Sequence, residues 1–145
     1  MIENDVLIQE YSINGWDFSR AGEASCEIKD TIKQIGIPQD VLKRIAIACY
    51  EAEMNVVMYA KSATLRCEIT PELITIIFDD KGPGIENIEL ALKPGFSTAT
   101  PEIREMGFGA GMGLPNIKQN ADSFNISSVV GKGTKLEMQF NLNYS

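Results

Sequence analysis

Apolar positions recur along this chain at two periods, and the switches between them divide it into elements. Val6 to Ile13 (VLIQEYSI) reads as a first strand ending at the turn Asn14-Gly15. From Ser19 the period becomes helical: Ala21, Ala24, Ile28, Ile32 and Ile35 fall on one face, and Gly36 supplies a stop. Pro38 is suited to opening a second helix. Val41, Leu42, Ile45, Ala48, Ala52, Val56 and Tyr59 then repeat at helical spacing, which predicts a long helix to about Ala60. Leu65 to Thr70 and Leu73 to Phe78 read as strands joined by a tight turn at Pro71-Glu72. The unbroken apolar run ITIIF in the second of these is expected of a strand buried on both faces.

The texture then changes. Asp79 to Gly113 carries most of the glycine and three prolines, with room only for a short helix near Ile88 to Leu92. A loop of this length in a compact domain is usually functional. Leu114 to Ala121 reads as a helix, and Phe124 to Val130 with Thr134 to Asn141 as a hairpin around Gly131-Lys132-Gly133. The order is strand, helix, helix, strand, strand, glycine-rich loop, helix, strand, strand. It predicts an α/β sandwich in which a mostly antiparallel, mixed sheet carries helices on one face, all within one domain spanning 1–145.

Composition narrows the function. Of 145 residues, 44% are apolar and 23% charged, the make-up of an ordinary globular protein. Thirteen basic against twenty acidic residues leave a net charge of −7 with no Lys/Arg cluster, which argues against nucleic acid as a partner. The absence of histidine removes His-based metal sites, Ser-His triads and a phosphorylatable His. Cys26, Cys49 and Cys67 are far apart, each in an apolar stretch, and are expected to fill the core in a reducing compartment. No signal pattern or membrane-length apolar run is present, so the expected location is cytoplasmic and away from the membrane.

Four constellations carry candidate chemistry. Glu51 and Asn55, in Glu-Ala-Glu-Met-Asn, share a helix face beside an apolar seam. They are oxygen ligands for a hard cation or polar groups facing a nucleotide, or else a solvated helix edge. Asp80-Lys81-Gly82-Pro83-Gly84 follows the apolar strand; its carboxylate could accept a hydrogen bond from an amine such as adenine's, or the segment could be a plain turn. Gly107-Phe108-Gly109-Ala110-Gly111-Met112-Gly113 leads into a helix, so its amides can form a nest for phosphate oxygens. Gly131-Lys132-Gly133-Thr134-Lys135-Leu136 looks by itself like a hairpin turn.

The common nucleotide loops do not fit. A Walker loop would need glycine where Ile126 stands, and the dinucleotide fingerprint, counted from Gly107 or Gly109, lands on Met112 or Leu114. The eukaryotic kinase loop requires a histidine.

The four elements, in this order from Glu51 to Leu136, resemble the gyrase/histidine-kinase (GHKL) ATPase superfamily, whose ATP-binding domain has the Bergerat fold. The resemblance implies that Asn55 binds magnesium, Asp80 holds the adenine amine, Gly82 and Gly84 line the adenine site, and Gly109, Gly111 and Gly113 cradle the phosphates of ATP. Thr134 would support the aspartate directly or through water. Glu51 four residues before Asn55, together with GFSTA (Gly95 to Ala99) and GAGMGLPNIK (Gly109 to Lys118), is similar to the anti-sigma-factor and switch-protein serine kinases. Val56 and Tyr59 depart from that pattern, where the family often has Ala and His.

That likeness implies a protein kinase that phosphorylates a serine on a STAS-fold (anti-anti-sigma) partner, with Glu51 as catalytic base and magnesium as the metal. A sigma factor or a serine phosphatase is a further implied partner. Family members often form homodimers; no residue pattern here points to one. Lys93 to Met106 would be a lid over ATP, with Arg104 either reaching the γ-phosphate or simply solvated. The rival reading is a nucleotide-gated interaction protein without useful kinase activity. A histidine kinase fragment fits less well, for want of a phosphoacceptor His and a preceding helix pair.

Overall fold

The computed structural model describes residues 6–93 and 113–142. The expected lid and the glycines Gly95, Gly107, Gly109 and Gly111 fall outside them, apart from Lys93 at the lid's first position. Five strands form one sheet: β1 (Leu7–Asn14), β2 (Ser62–Ile69), β3 (Leu73–Lys81), β4 (Ser123–Val129) and β5 (Gly133–Asn141). Their order is β1-β2-β3-β5-β4, and all four ladders are antiparallel. Among the described residues four helices accompany them: α1 (Glu23–Ile35), α2 (Gln39–Tyr59), the short α3 (Ile88–Ala91) and α4 (Gly113–Asn120).

The period-2 pattern decides which face of the sheet is covered. Leu65 and Cys67 of β2, Ile74, Ile76 and Phe78 of β3, and Leu136, Met138 and Phe140 of β5 point one way and are buried. They meet Ile28 and Ile32 of α1, Ile45, Ala48, Cys49 and Ala52 of α2, and Ile117 of α4 in one core. The other face is mostly polar, with Ile8 and Ile77 among its residues. On it Arg66 pairs with Glu68 at 2.6 Å and with Glu10 at 3.2 Å, exposed bridges of small energetic weight.

Four expectations need correction. ITIIF is not sealed on both faces: Ile77 is only half-buried, because every core helix lies on the opposite side. The first helix begins at Glu23 and not near Ser19, since Phe18–Arg20 form a 3-10 turn and Gly22 is left-handed (φ 92°). Ile35, expected on its buried face, is 46% exposed where the helix stops at the left-handed Gly36. Of the cysteines, Cys49 and Cys67 are buried as anticipated, and burial pushes both thiols well above their ordinary pKa, leaving them inert. Cys26 is exposed, because it lies on the outer side of α1.

α4 is fixed at its middle and at its C-terminus, which matters for the site below. Ile117, fully buried, seats it against α2. At its C-terminus the Arg44 guanidinium of α2 donates to the Asn120 carbonyl at 2.9 Å and reaches Asp122 at 3.3 Å. Asp122 in turn accepts from the Asn141 N–H at 2.8 Å, tying the helix end to β5. Removing this clamp by Arg44→Ala should lower stability by about 1.5 kcal/mol, the worth of a part-buried hydrogen bond from a charged donor. Urea unfolding checks it: the midpoint should fall at constant m-value, and a wild-type midpoint would show that the clamp contributes nothing.

Candidate nucleotide site

The C-terminal half of α2 is packed almost all round. From residue 51 to residue 60 only Glu51, Asn55 and Tyr59 are not buried. They recur every four residues, so they form a single open slot along an otherwise enclosed helix. A solvated helix edge would expose neighbours on both sides of such a row. At Asn55 the slot meets α4: a Cβ on Gly113 would come within 3.2 Å of both Asn55 side-chain head atoms. Asn55 therefore abuts the N-terminus of a helix, where the free N–H groups and the macrodipole favour anions.

The other end of the slot leads to the sheet. α2 ends at Ala60, and Lys61 N–H bonds the Lys81 carbonyl at 2.9 Å, joining the start of β2 to the end of β3. A Cβ on Gly82 would lie 3.2 Å from Ala60 and 3.1 Å from Asp80 Oδ1. Gly113 thus meets α2 at Asn55, and Gly82 meets its C-terminal end at Ala60 beside Asp80.

Asp80 is half-buried on the inner face of β3. Its Oδ1 accepts the Thr134 N–H from β5 at 3.0 Å. Burial raises its pKa, and the charge of Asp79 adds to this; the Thr134 and Gly82 N–H groups pull the other way without cancelling it. A carboxylate has lone pairs beyond those taken by these two donors, so Asp80 keeps acceptor capacity for a ligand amine. Thr134 acts on Asp80 through its backbone. Its hydroxyl lies instead 2.9 Å from Ser128 Oγ, which also donates to the Gly133 carbonyl and accepts the Ile85 N–H at 2.8 Å.

Two glycines hold this corner by what they lack. At Gly133 (φ 153°) a Cβ would overlap the Asp80 carbonyl oxygen, and at Gly84 (φ 78°) it would lie 2.6 Å from the Val129 carbonyl oxygen. Any side chain at either position would push the Asp80 loop and the β4–β5 hairpin apart.

Two residues of this network carry no motif. Ser128 could have been found from the hairpin, whose register sets it opposite Thr134. Glu53 is 2% exposed on α2, opposite the slot, and accepts from Gly22 and Ser25 of α1. Its signal was a carboxylate between Cys49 and Val57 on a buried helix row.

The donors suit ATP with magnesium. A carboxamide and a carboxylate are hard-cation ligands, and magnesium commonly takes only one or two protein ligands beside phosphates and water. Among the described residues no group of three or more His, Cys, Asp or Glu side chains could hold a metal unaided. Fold and donors together are those of an α/β sandwich suited to a nucleotide.

Comparison with known proteins gives the family. The family model described as the histidine kinase-like ATPase domain matches residues 18–140, and the chain belongs to that family. Membership implies ATP binding. Among curated proteins, the chain is 30% identical over 126 residues to the serine/threonine-protein kinase RsbT of Bacillus subtilis, covering 84% of this chain and 86% of the relative. It is 30% identical over 118 residues to an anti-sigma F factor of Caldanaerobacter subterraneus, covering 79% and 75%. It is 32% identical over 114 residues to that of Clostridium kluyveri, covering 74% and 76%. Among solved structures, a mycobacterial sensor histidine kinase, MprB, shares the fold at TM-score 0.56 and 16% identity, over 92% of this chain and 97% of that one.

The raised pKa of Asp80 fixes the sign of a test. An acid whose pKa is higher folded than unfolded stabilises the fold only while protonated; that contribution is lost as pH rises through the raised folded pKa. At pH 7 the ionised Asp80 therefore costs stability. Asp80→Asn should keep the Thr134 bond and melt at or above the wild-type temperature without nucleotide. The gain in melting temperature given by ATP and magnesium should nearly vanish. Calorimetric scans with and without nucleotide check both halves, and an undiminished gain would remove Asp80 from the site.

Proposed function

We propose that the chain is a magnesium- and ATP-dependent serine protein kinase of the anti-sigma and switch-kinase type, acting in the cytoplasm on a STAS-fold partner that controls a sigma factor or a serine phosphatase. The observation that carries the reading is the open row Glu51–Asn55–Tyr59, which Gly113 at the tip of α4 meets at Asn55, with the half-buried Asp80 held by Thr134 beside the C-terminal end of the same helix. The kinase and anti-sigma names of its relatives support it.

Each side chain then has a task. Asp80, held by Thr134, accepts the adenine amine, and Gly82 and Gly84 of the loop after it line the adenine site. Asn55 offers its carboxamide oxygen to magnesium, which when bound supplies charge neutralisation on the phosphates. The N–H groups of Gly113 and, beyond the described residues, Gly109 and Gly111 orient the triphosphate. Glu51, one turn before Asn55 on the same slot, accepts the proton of the attacking serine hydroxyl. Phosphoryl transfer rests mainly on positioning and charge, so this short set suffices.

A second reading is a nucleotide-gated binder, favoured by the anti-sigma names among the relatives. A paired measurement separates the two: ATP titration and single-turnover transfer to the cognate STAS protein. Asn55→Ala should impair magnesium-dependent ATP binding and transfer together. Glu51→Ala should bind ATP nearly as wild type does but transfer about 10²–10⁴-fold more slowly, the worth of a positioned base. Transfer at the wild-type rate by Glu51→Ala would refute the base. A wild type that transfers nothing, yet binds its partner differently with ATP and ADP, would favour the gated binder.

A further inference from the structure

α1 starts at Gly22, which has no side chain with which to cap the helix. The missing cap comes from another helix. Glu53 Oε2 accepts the N–H of Gly22, the N-cap, at 2.9 Å, and Oε1 accepts the N–H of Ser25, the third helical residue, at 2.9 Å. A capping box normally divides these two donors between two side chains of the helix itself. Here one foreign carboxylate takes both, and the Ser25 hydroxyl adds a third bond at 2.5 Å. Glu53 also lines a cleft of about 190 Å³, with Tyr11, Asp17, Arg20, Glu23 and Glu27. The cation in that lining, Arg20, is engaged with Glu23 at 2.8 Å, so the backbone of α1 is what balances Glu53.

Glu53 stands two residues from both Glu51 and Asn55. At 3.6 residues per turn it projects roughly 200° from Glu51 around α2, away from the slot. Turning α2 about its axis would break the Glu53 bonds and swing Glu51 and Asn55 in the same movement. A side-chain head lies about 6 Å from a helix axis, so a turn of about 20° displaces it by about 2 Å. Displacements of about 1 Å already cost two orders of magnitude where a reacting geometry is held.

We infer that Glu53 is a positioning residue: by capping α1 from α2 it sets the rotation of α2, and so the aim of Asn55 and Glu51 toward magnesium and the phosphates. The inference rests on the nucleotide reading above. The proposed adenine contacts lie outside α2, on β3, on β5 and in the loop after β3, so a turn of α2 moves them less than it moves Asn55 and Glu51.

The test compares full-length wild type, Glu53→Gln and Ser25→Ala, each well below its melting temperature. Glutamine keeps the volume but turns an NH2 group toward a donor; Ser25→Ala removes the hydroxyl's bond to Glu53 and its contact with the Cys49 thiol, and leaves both backbone N–H bonds to Glu53 in place. ATP affinity is titrated in excess EDTA and then in magnesium, and amide exchange is followed at Gly22 and Ser25. In EDTA both variants should bind within about twofold of wild type. The gain from magnesium should fall about tenfold or more in Glu53→Gln and less in Ser25→Ala, with faster exchange at Gly22 and Ser25. An unchanged magnesium gain in a variant with accelerated exchange overturns the inference. So does an equal loss with and without magnesium, which marks general loosening. If Glu53→Gln does not fold, Ser25→Ala decides by the same two criteria. A wild type with no magnesium-dependent gain sinks the nucleotide reading itself, before any variant is compared.

Discussion

The enclosure of α2 governs this molecule. Ala48, Cys49, Ala52, Val56 and Val57 press it onto the sheet, α4 packs beside it, and Glu53 binds it to α1. A helix so surrounded has little freedom to turn or slide, since protein interiors are close-packed and respond to small displacements. The slot left open along it, Glu51 to Tyr59, therefore holds its polar groups at fixed height above the sheet. The same packing sets where α4 begins, because the buried Ile117 and the Arg44 clamp leave its N-terminus facing Asn55.

Asp80 shows the opposite economy. It is a carboxylate drawn into a half-buried place where its charge is disfavoured, against the partial help of two backbone N–H groups. The β4–β5 hairpin is shaped around it: Gly133 passes where no side chain fits, and Ser128 holds the turn to Ile85. A fold optimised only for stability would place an apolar residue at this strand end. The strain falls where a ligand amine would find a preorganised acceptor, as sites that trade stability for binding commonly arrange.

Much of this was legible in the residues, for identifiable reasons. The strands and long helices show because a covered face imposes a period of 2 or 3.6, as in Ile28–Ile32 and Leu136–Met138–Phe140. Family membership showed in the order of the Asn55, Asp80 and glycine elements. Local backbone geometry was hidden: the left-handed Gly22 delays α1, and nothing in its neighbours announces that. ITIIF misled because an apolar run does not say whether a second layer covers it. Glu53 was hidden for another reason. Its partners are 28 and 31 residues away and two of the three are backbone N–H groups, which leave no trace in residue type.

The most direct test of the account is a crystal structure of the protein with magnesium and a non-hydrolysable ATP analogue. It should place the adenine amine on the Asp80 carboxylate, the metal on the Asn55 carboxamide oxygen, and the phosphates at the N-terminus of α4. A nucleotide bound away from Asp80, or a metal without contact to Asn55, would contradict it.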